Sequence, residues 1–228
     1  MKAEKIFEGI YLVGGPNISH SEDATVFVVE LGGELIMIDS GAGRSARRIL
    51  QNIKDAGFDP LKIGKLVLTH CHIDHIGGAP VLKKELGCRL YIHELDAAAV
   101  ESGDPVLTAA NWYESDFPPT KVDEKLSGAE GFLEAAGEKL HWVHTPGHTP
   151  GSICLYLDRA GARVLFGQDI HGPFLPSFKS DIGQWKKSME KLIALEADIL
   201  CEGHFGIFQP RDKARDYIKR YLRSTSGY

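Results

Sequence analysis

Hydrophobic and polar positions in the first third of the chain group into short apolar runs separated by turn residues, a pattern typical of β-strands. Residues 25–31 and 34–38 form two such runs, and Gly32-Gly33 between them is a hairpin signal. Because neither run has a polar face, we expect both strands to be covered on two sides. A helix is predicted over 45–56, where apolar residues recur at helical spacing.

The rest of the chain alternates in the same way. Further elements are predicted as strands over 63–68, 89–92, 139–143, 152–157, 163–166 and 198–201, and as helices over 79–86, 184–195 and 212–222. Residues 101–125 show neither periodicity, and an irregular loop of that length in a compact domain is usually functional or mobile. Two strand-rich halves meet near residue 140 without a linker between them. We therefore predict one domain over residues 1–228.

Composition and charge place the chain among ordinary globular proteins. Hydrophobic residues make up 43% and charged residues 25% of the 228 positions, and the formal net charge is −5. An acidic chain is poorly suited to a phosphate backbone, so we expect no nucleic-acid partner. No apolar run reaches the length of a membrane span, and the first residues lack the apolar segment of a signal peptide. The four cysteines form no CxxC pair, which favours the cytoplasm. The oligomeric state, including a homodimer, stays open.

Histidine is the unusual residue, with ten in the chain. The segment 68–78 reads Leu-Thr-His-Cys-His-Ile-Asp-His-Ile-Gly-Gly and lies where a predicted strand gives way to a helix. Residues two apart in an extended backbone point the same way, so His70 and His72 can reach one metal ion together. After the turn, Asp74 and His75 can point to a second position a few ångströms away.

Three further candidates follow predicted strands or rigid turns. His148 lies in the turn Thr-Pro-Gly-His-Thr-Pro-Gly, while Asp169 and His204 each come just after a strand. Each is weak alone. Together with the first cluster they supply five imidazoles and two carboxylates, a composition that suits two divalent metal ions. Zinc is expected first, with iron or manganese as alternatives.

The ordered set of these motifs resembles the metallo-β-lactamase superfamily, and the Asp39-Ser40-Gly41 turn resembles that family's early Asp-x-Gly signal. The resemblance extends from Ile10 to about Phe205. It implies an α+β fold, a four-layer αβ/βα sandwich with a dinuclear site at one edge. The expected ligands are assigned by motif position: His70, His72 and His148 for the first metal, Asp74, His75 and His204 for the second, and Asp169 as the bridge.

Within the superfamily, the residues 69–78 and 145–152 are similar to the glyoxalase II-type branch. That branch has a helical C-terminal region that helps to bind glutathione, whereas this chain continues for only about twenty residues after His204. The resemblance therefore implies the metal chemistry of that branch without its glutathione substrate. Persulfide dioxygenase-like members, which use one iron held by two histidines and an aspartate, share much of the motif and stay open as an alternative.

The activity implied by this resemblance is hydrolysis of a small-molecule ester-type bond by a metal-bridging hydroxide. A thioester or lactone is expected first, and a phosphodiester is an alternative at the same site. Asp74 would be a ligand first and a proton carrier second, and His171 could face the substrate because it lies two residues after Asp169. The aromatic side chains of Trp112, Tyr113 and Phe174 either line the substrate pocket or tie down their loops.

Overall fold

The computed structural model describes residues 2–224, which form two β-sheets with helices on their outer faces. The strands are β1 (Glu4–Phe7), β2 (Ile10–Gly14), β3 (Val26–Leu31), β4 (Glu34–Ile38), β5 (Ile63–Val67), β6 (Arg89–His93), β7 (Glu124–Leu126), β8 (Glu130–Ala135), β9 (Glu138–His144), β10 (Ile153–Arg159), β11 (Ala162–Gln168), β12 (Ile199–Glu202) and β13 (Ile207–Phe208). The helices are α1 (Ala46–Asp55), α2 (Ile73–Ile76), α3 (Ala79–Leu86), α4 (Glu94–Ser102), α5 (Ile182–Ala194) and α6 (Arg211–Ser224).

The two sheets are both mixed. The first has the order β1-β2-β3-β4-β5-β6-β7, antiparallel up to β4 and parallel from β4 to β7. The second has the order β13-β12-β11-β10-β9-β8, with a parallel pair only between β11 and β12. In both sheets the parallel strands carry loops at their carboxyl ends, and these loops hold most of the candidate ligands, whereas His148 lies in the turn between the antiparallel strands β9 and β10.

Three apolar clusters show how the layers pack. The alternating side chains of β4 divide between two of them: Leu35 and Met37 face the helices α1 and α3, whereas Ile36 and Ile38 face the second sheet. The second sheet repeats this arrangement, with Phe166 turned toward the first sheet and Leu165 toward α5 and α6. Helix, sheet, sheet and helix are therefore stacked as four layers, which confirms the predicted sandwich.

The hairpin predicted around Gly32-Gly33 is confirmed, and both of its strands are buried on two faces. The predicted boundary near residue 140 is wrong, because the second sheet already begins with β8 at Glu130. β8 is an edge strand with alternating exposed and buried positions and few apolar residues, so it gives little hydrophobic signal. Among residues 2–224, none of the helices combines the length and apolar character needed to cross a membrane.

Candidate metal centre

The first four candidate ligands lie on the loop after β5 and on the short helix α2. His72 is the extended residue that precedes α2, and Asp74 and His75 occupy its single turn. The carbonyl of His75 accepts hydrogen bonds of 2.7 Å from both the amide and the hydroxyl of Ser40, which anchors α2 to the loop after β4. Close packing here requires glycine: a Cβ on Gly78 would lie 2.2 Å from the carbonyl oxygen of Ser40.

The other three candidates come from the second sheet. His148 lies in the turn between β9 and β10, Asp169 follows β11, and His204 follows β12. β11 and β12 are parallel neighbours, so their carboxyl ends lie at the same edge of the sheet and bring Asp169 and His204 together. The seven side chains named from the sequence thus meet at one edge of the sandwich.

Their donor atoms form two overlapping groups, each with its atoms within 4.8 Å of one another. The first group is His70, His72, His148 and Asp169, and the second is Asp74, His75, Asp169 and His204. Asp169 belongs to both: its Oδ2 lies 3.5 Å from Nε2 of His148, and its Oδ1 lies 3.0 Å from Nε2 of His75 and 3.1 Å from Nε2 of His204. This geometry matches the bridging position expected for Asp169.

In two of the histidines, the ring nitrogen that faces away from the centre makes a hydrogen bond. This bond determines that the other nitrogen, which faces the centre, carries no proton in the neutral ring. Nδ1 of His148 lies 2.8 Å from the carbonyl of Pro173, and a carbonyl can only accept, so this nitrogen carries the proton. Nδ1 of His75 likewise donates to Oδ2 of Asp39 at 2.7 Å. In the neutral rings Nε2 therefore presents a lone pair to the centre, the arrangement found where carboxylates and carbonyls orient metal-binding histidines.

Burial favours neutral imidazoles in the first group. It holds the pKa of His70 and of His72 well below the usual value, with neighbouring histidines adding to the effect, and lowers that of His148 to about 4. In the second group, the charge of the carboxylates has a larger effect on the histidine pKa than burial has. Burial alone would lower the pKa of His204, but Asp169 raises it to about 9. Burial would raise the pKa of Asp169, but His204 and His75 hold it well below its usual range.

The donor atoms fit a pair of divalent ions. Nε2 of His70, Nε2 of His75 and Oδ1 of Asp169 are buried without a hydrogen-bond partner, and Nδ1 of His72 faces Nε2 of His148 at 2.8 Å. Buried polar atoms are rarely left in this state, and a cation between them would satisfy them all. Imidazole nitrogens with carboxylate oxygens are a donor set that zinc takes readily and that iron and manganese also accept.

A cavity of about 370 Å³ opens directly onto the two groups. Its walls are formed by twelve residues: Pro16, His72, Asp74, Ala109, Trp112, Tyr113, Asp169, His171, Pro173, Phe178, His204 and Phe205. Three of the residues that we expected from the sequence to contact the substrate line this cavity, namely Trp112, Tyr113 and His171. Phe174 does not line the cavity but packs against Trp185, with ring centroids 4.9 Å apart, in the cluster beneath α5.

Phe178, in the same apolar loop as Phe174, is buried with its ring 4.3 Å from that of His72 and does line the cavity. Sequence reasoning missed two other residues of this region, Phe205 and Glu202. Phe205 is an exposed aromatic that also lines the cavity. Glu202 is fully buried, and its carboxylate holds Nδ1 of His171 at 2.6 Å and the amides of His204 and Phe205. The one sequence feature that could have indicated a role for Glu202 is its position two residues before His204.

Comparison with known proteins agrees with this geometry. The family model of the metallo-beta-lactamase superfamily matches residues 22–204, which span all seven candidate ligands. The chain belongs to the metallo-β-lactamase superfamily. A probable metallo-hydrolase of Bacillus subtilis is 27% identical over 226 residues, covering 79% of this chain and 80% of that protein.

Two further similarities extend the comparison. An atrochrysone carboxyl ACP thioesterase of Aspergillus fumigatus is 25% identical over 214 residues, covering 93% of this chain and 60% of the thioesterase. A metallo-beta-lactamase structure from Cronobacter sakazakii superposes with a TM-score of 0.83 at 22% identity, covering all of this chain and 96% of that one. The structural similarity shows the shared superfamily fold.

Proposed function

We propose that this protein is a dinuclear metal-dependent hydrolase that cleaves an ester-type bond in a small molecule, with a thioester or lactone as the first candidate. The observation that carries the proposal is the second donor group. Asp74, His75 and His204 converge with Asp169 beside the first group, and that full set supports two ions. A mononuclear iron oxygenase of the persulfide dioxygenase type would use only two histidines and one aspartate of this set, so the number and identity of the bound ions distinguish the two functions.

Divalent ions at this site would lower the pKa of bound water to roughly 7 and so supply a nucleophile at neutral pH. The role of the protein's own residues is to hold the metal ions and fix their position. Asp169 offers one oxygen to each group, and Asp74 adds a second carboxylate whose pKa is raised by burial. Zinc is the proposed metal. No general base is required, so Asp74 acts mainly as a ligand.

His171 is the proposed contact to the leaving group. Its Nδ1 is bound to Glu202, so the ring is fixed in orientation and Nε2 is the nitrogen that remains for a substrate in the cavity. We propose that this nitrogen takes up the proton that the attacking oxygen releases and passes it to the leaving-group atom as the bond breaks. The thioesterase relative supports the choice of a thioester, and the similarity of residues 69–78 to the glyoxalase II-type branch supports the same chemistry.

Metal analysis and a substrate panel test the proposal. The purified protein is stripped with a chelator, reloaded with zinc, iron or manganese, and assayed with thioester, lactone, phosphodiester and β-lactam substrates. We expect two ions per chain and metal-dependent cleavage of the thioester or lactone. One iron per chain with oxygen consumption on a persulfide would replace the proposal by the oxygenase. Inactivity on the whole panel after full metal loading would reject it.

A further inference from the structure

Aromatic side chains flank the metal centre on two sides of the cavity. On one side, Phe178 packs on the ring of His72, and Trp112 packs on Phe178 with centroids 5.0 Å apart. On the other side, Phe205 lies edge-on to His171 at 4.7 Å. Phe178 lies beside the candidate ligand His72 and Phe205 beside the candidate ligand His204, so both aromatic groups border the cavity in which a substrate would react.

The outer rings of both walls are unusually exposed. Trp112 is 55% and Phe205 58% exposed, although large aromatic side chains are normally well buried. Each exposes apolar surface directly beside a reactive centre and not on a remote face. An apolar group placed between them would remove that surface from water, with a gain roughly proportional to the area covered.

The cavity also lacks the groups that hold anions. Among its twelve lining residues there is no lysine or arginine, and its polar side chains are the ligands His72, Asp74, Asp169 and His204 together with His171 and Tyr113. The hydroxyl of Tyr113 lies close enough to the carboxylate of Asp74 to interact with it. A carboxylate or phosphate carried by the substrate away from the metals would lose its hydration here without gaining a partner.

We infer that the substrate is an uncharged ester, thioester or lactone with an apolar acyl chain. In this inference Trp112 and Phe205 contact the acyl chain with their exposed rings, and Phe178 contacts it from the buried end of the cavity. This inference rests on the proposed hydrolase function and specifies its substrate class. It sets aside the phosphodiester alternative, because the flanking groups of a phosphodiester substrate are usually polar or charged and would meet only apolar walls.

A series of esters with acyl chains of increasing length tests whether these aromatic residues bind the acyl chain. The zinc-loaded protein is assayed with p-nitrophenyl esters from acetyl to octanoyl, and kcat/KM should rise with each methylene by up to about four-fold, the limit for full burial. Trp112→Ala and Phe205→Ala should flatten this dependence with two ions still bound. Phe132→Ala is the matched control, because Phe132 is also an exposed aromatic, at 47%, and lies on β8 outside the cavity lining. That variant should keep the wild-type slope.

A charged series and a binding measurement complete the test. Esters whose acyl chain ends in a carboxylate should react at least about ten-fold more slowly than neutral esters of equal length. Methyl ketones, which keep the carbonyl and chain but have no leaving group, should change the tryptophan fluorescence of the wild type but not of Trp112→Ala, and their affinity should increase with chain length. Metal-dependent hydrolysis without chain-length dependence, or with a preference for charged chains, would overturn the inference alone. Full metal loading without any hydrolysis would overturn the proposed function as well.

Discussion

The buried carboxylate of Asp96 accepts a hydrogen bond of 2.7 Å from the hydroxyl of Thr149, the residue next to the candidate ligand His148. The same carboxylate accepts from the amide of Gly151 at 2.7 Å and from the amide of Cys71, between His70 and His72, at 3.1 Å. One side chain on α4 therefore joins the ligand loop of the first sheet to that of the second. Partners of this kind tune metal affinity although they do not touch the metal.

Replacing Asp96 tests whether this link positions the first ion. In Asp96→Ala three buried donors lose their acceptor, so the free energy of unfolding should fall by about 3 kcal/mol. Affinity for the first metal ion should fall by about 10–100-fold, measured by chelator competition. Thr149→Val should show part of both effects, while Thr149→Ser keeps the hydroxyl and should remain close to wild type. Lower stability with unchanged metal affinity would restrict Asp96 to a structural role.

Asp169 is the donor shared by both groups, and its removal should affect the metal content more than any other single change. We expect Asp169→Ala to retain one ion per chain or fewer. Hydrolysis should fall by more than the about 10–100-fold typical of changes outside the direct ligands. Asp158→Ala, which removes an exposed carboxylate on β10, should keep both metal content and activity. Two ions per chain in Asp169→Ala, counted by elemental analysis, would contradict the bridging assignment.

The salt bridge between Asp123 and Lys83 gives a pH-dependent stability. Burial would raise the pKa of Asp123, but hydrogen bonds from Nζ of Lys83 at 2.7 Å and from the amide of Leu90 at 2.8 Å lower it. The unfolded chain therefore takes up this proton first as the pH falls. The stabilisation is complete above the unfolded pKa of about 4 and is lost as the pH falls through the lower folded value.

Asp123→Asn should accordingly reduce the free energy of unfolding by about 1 kcal/mol at pH 7. The difference from wild type should stay constant down to about pH 5 and shrink below about pH 4. Urea unfolding at several pH values measures it, and Asp116→Asn, at an exposed aspartate, serves as the control. A difference that grows as the pH falls would have the wrong sign for this ion pair.

The sequence predicted most of the site because its ligands carry local signals. His70, His72, Asp74 and His75 are close in sequence, and His148, Asp169 and His204 follow strands or lie in rigid turns. The apolar runs similarly revealed the central strands, which are buried on both faces. These features depend on neighbours along the chain, so that a pattern of residue types is enough to find them.

Other features depend on contacts between distant residues. Asp96 lies 25 residues from Cys71 and 53 from Thr149, and no spacing rule connects an aspartate in an alanine-rich helix to either loop. Phe174 and Phe178 are both aromatic residues of one short loop, yet Phe174 turns to Trp185 and Phe178 to His72. Only the packed structure decides which ring faces the cavity. The edge strand β8 was missed because half of its positions face outward.

Gly78 tests how far the metal centre depends on close backbone packing. A Cβ at this position would lie 2.2 Å from the backbone oxygen of Ser40, so Gly78→Ala must push α2 away from the loop that anchors it. Overpacking of this kind costs about 1–3 kcal/mol, and the displaced Asp74 and His75 should bind their ion at least about ten-fold more weakly. Gly64→Ala on β5 is the matched control, because a Cβ there has no heavy atom within 4 Å. Chemical denaturation and chelator competition on both variants separate the two effects. Wild-type metal affinity in Gly78→Ala would show that α2 can shift without moving its ligands.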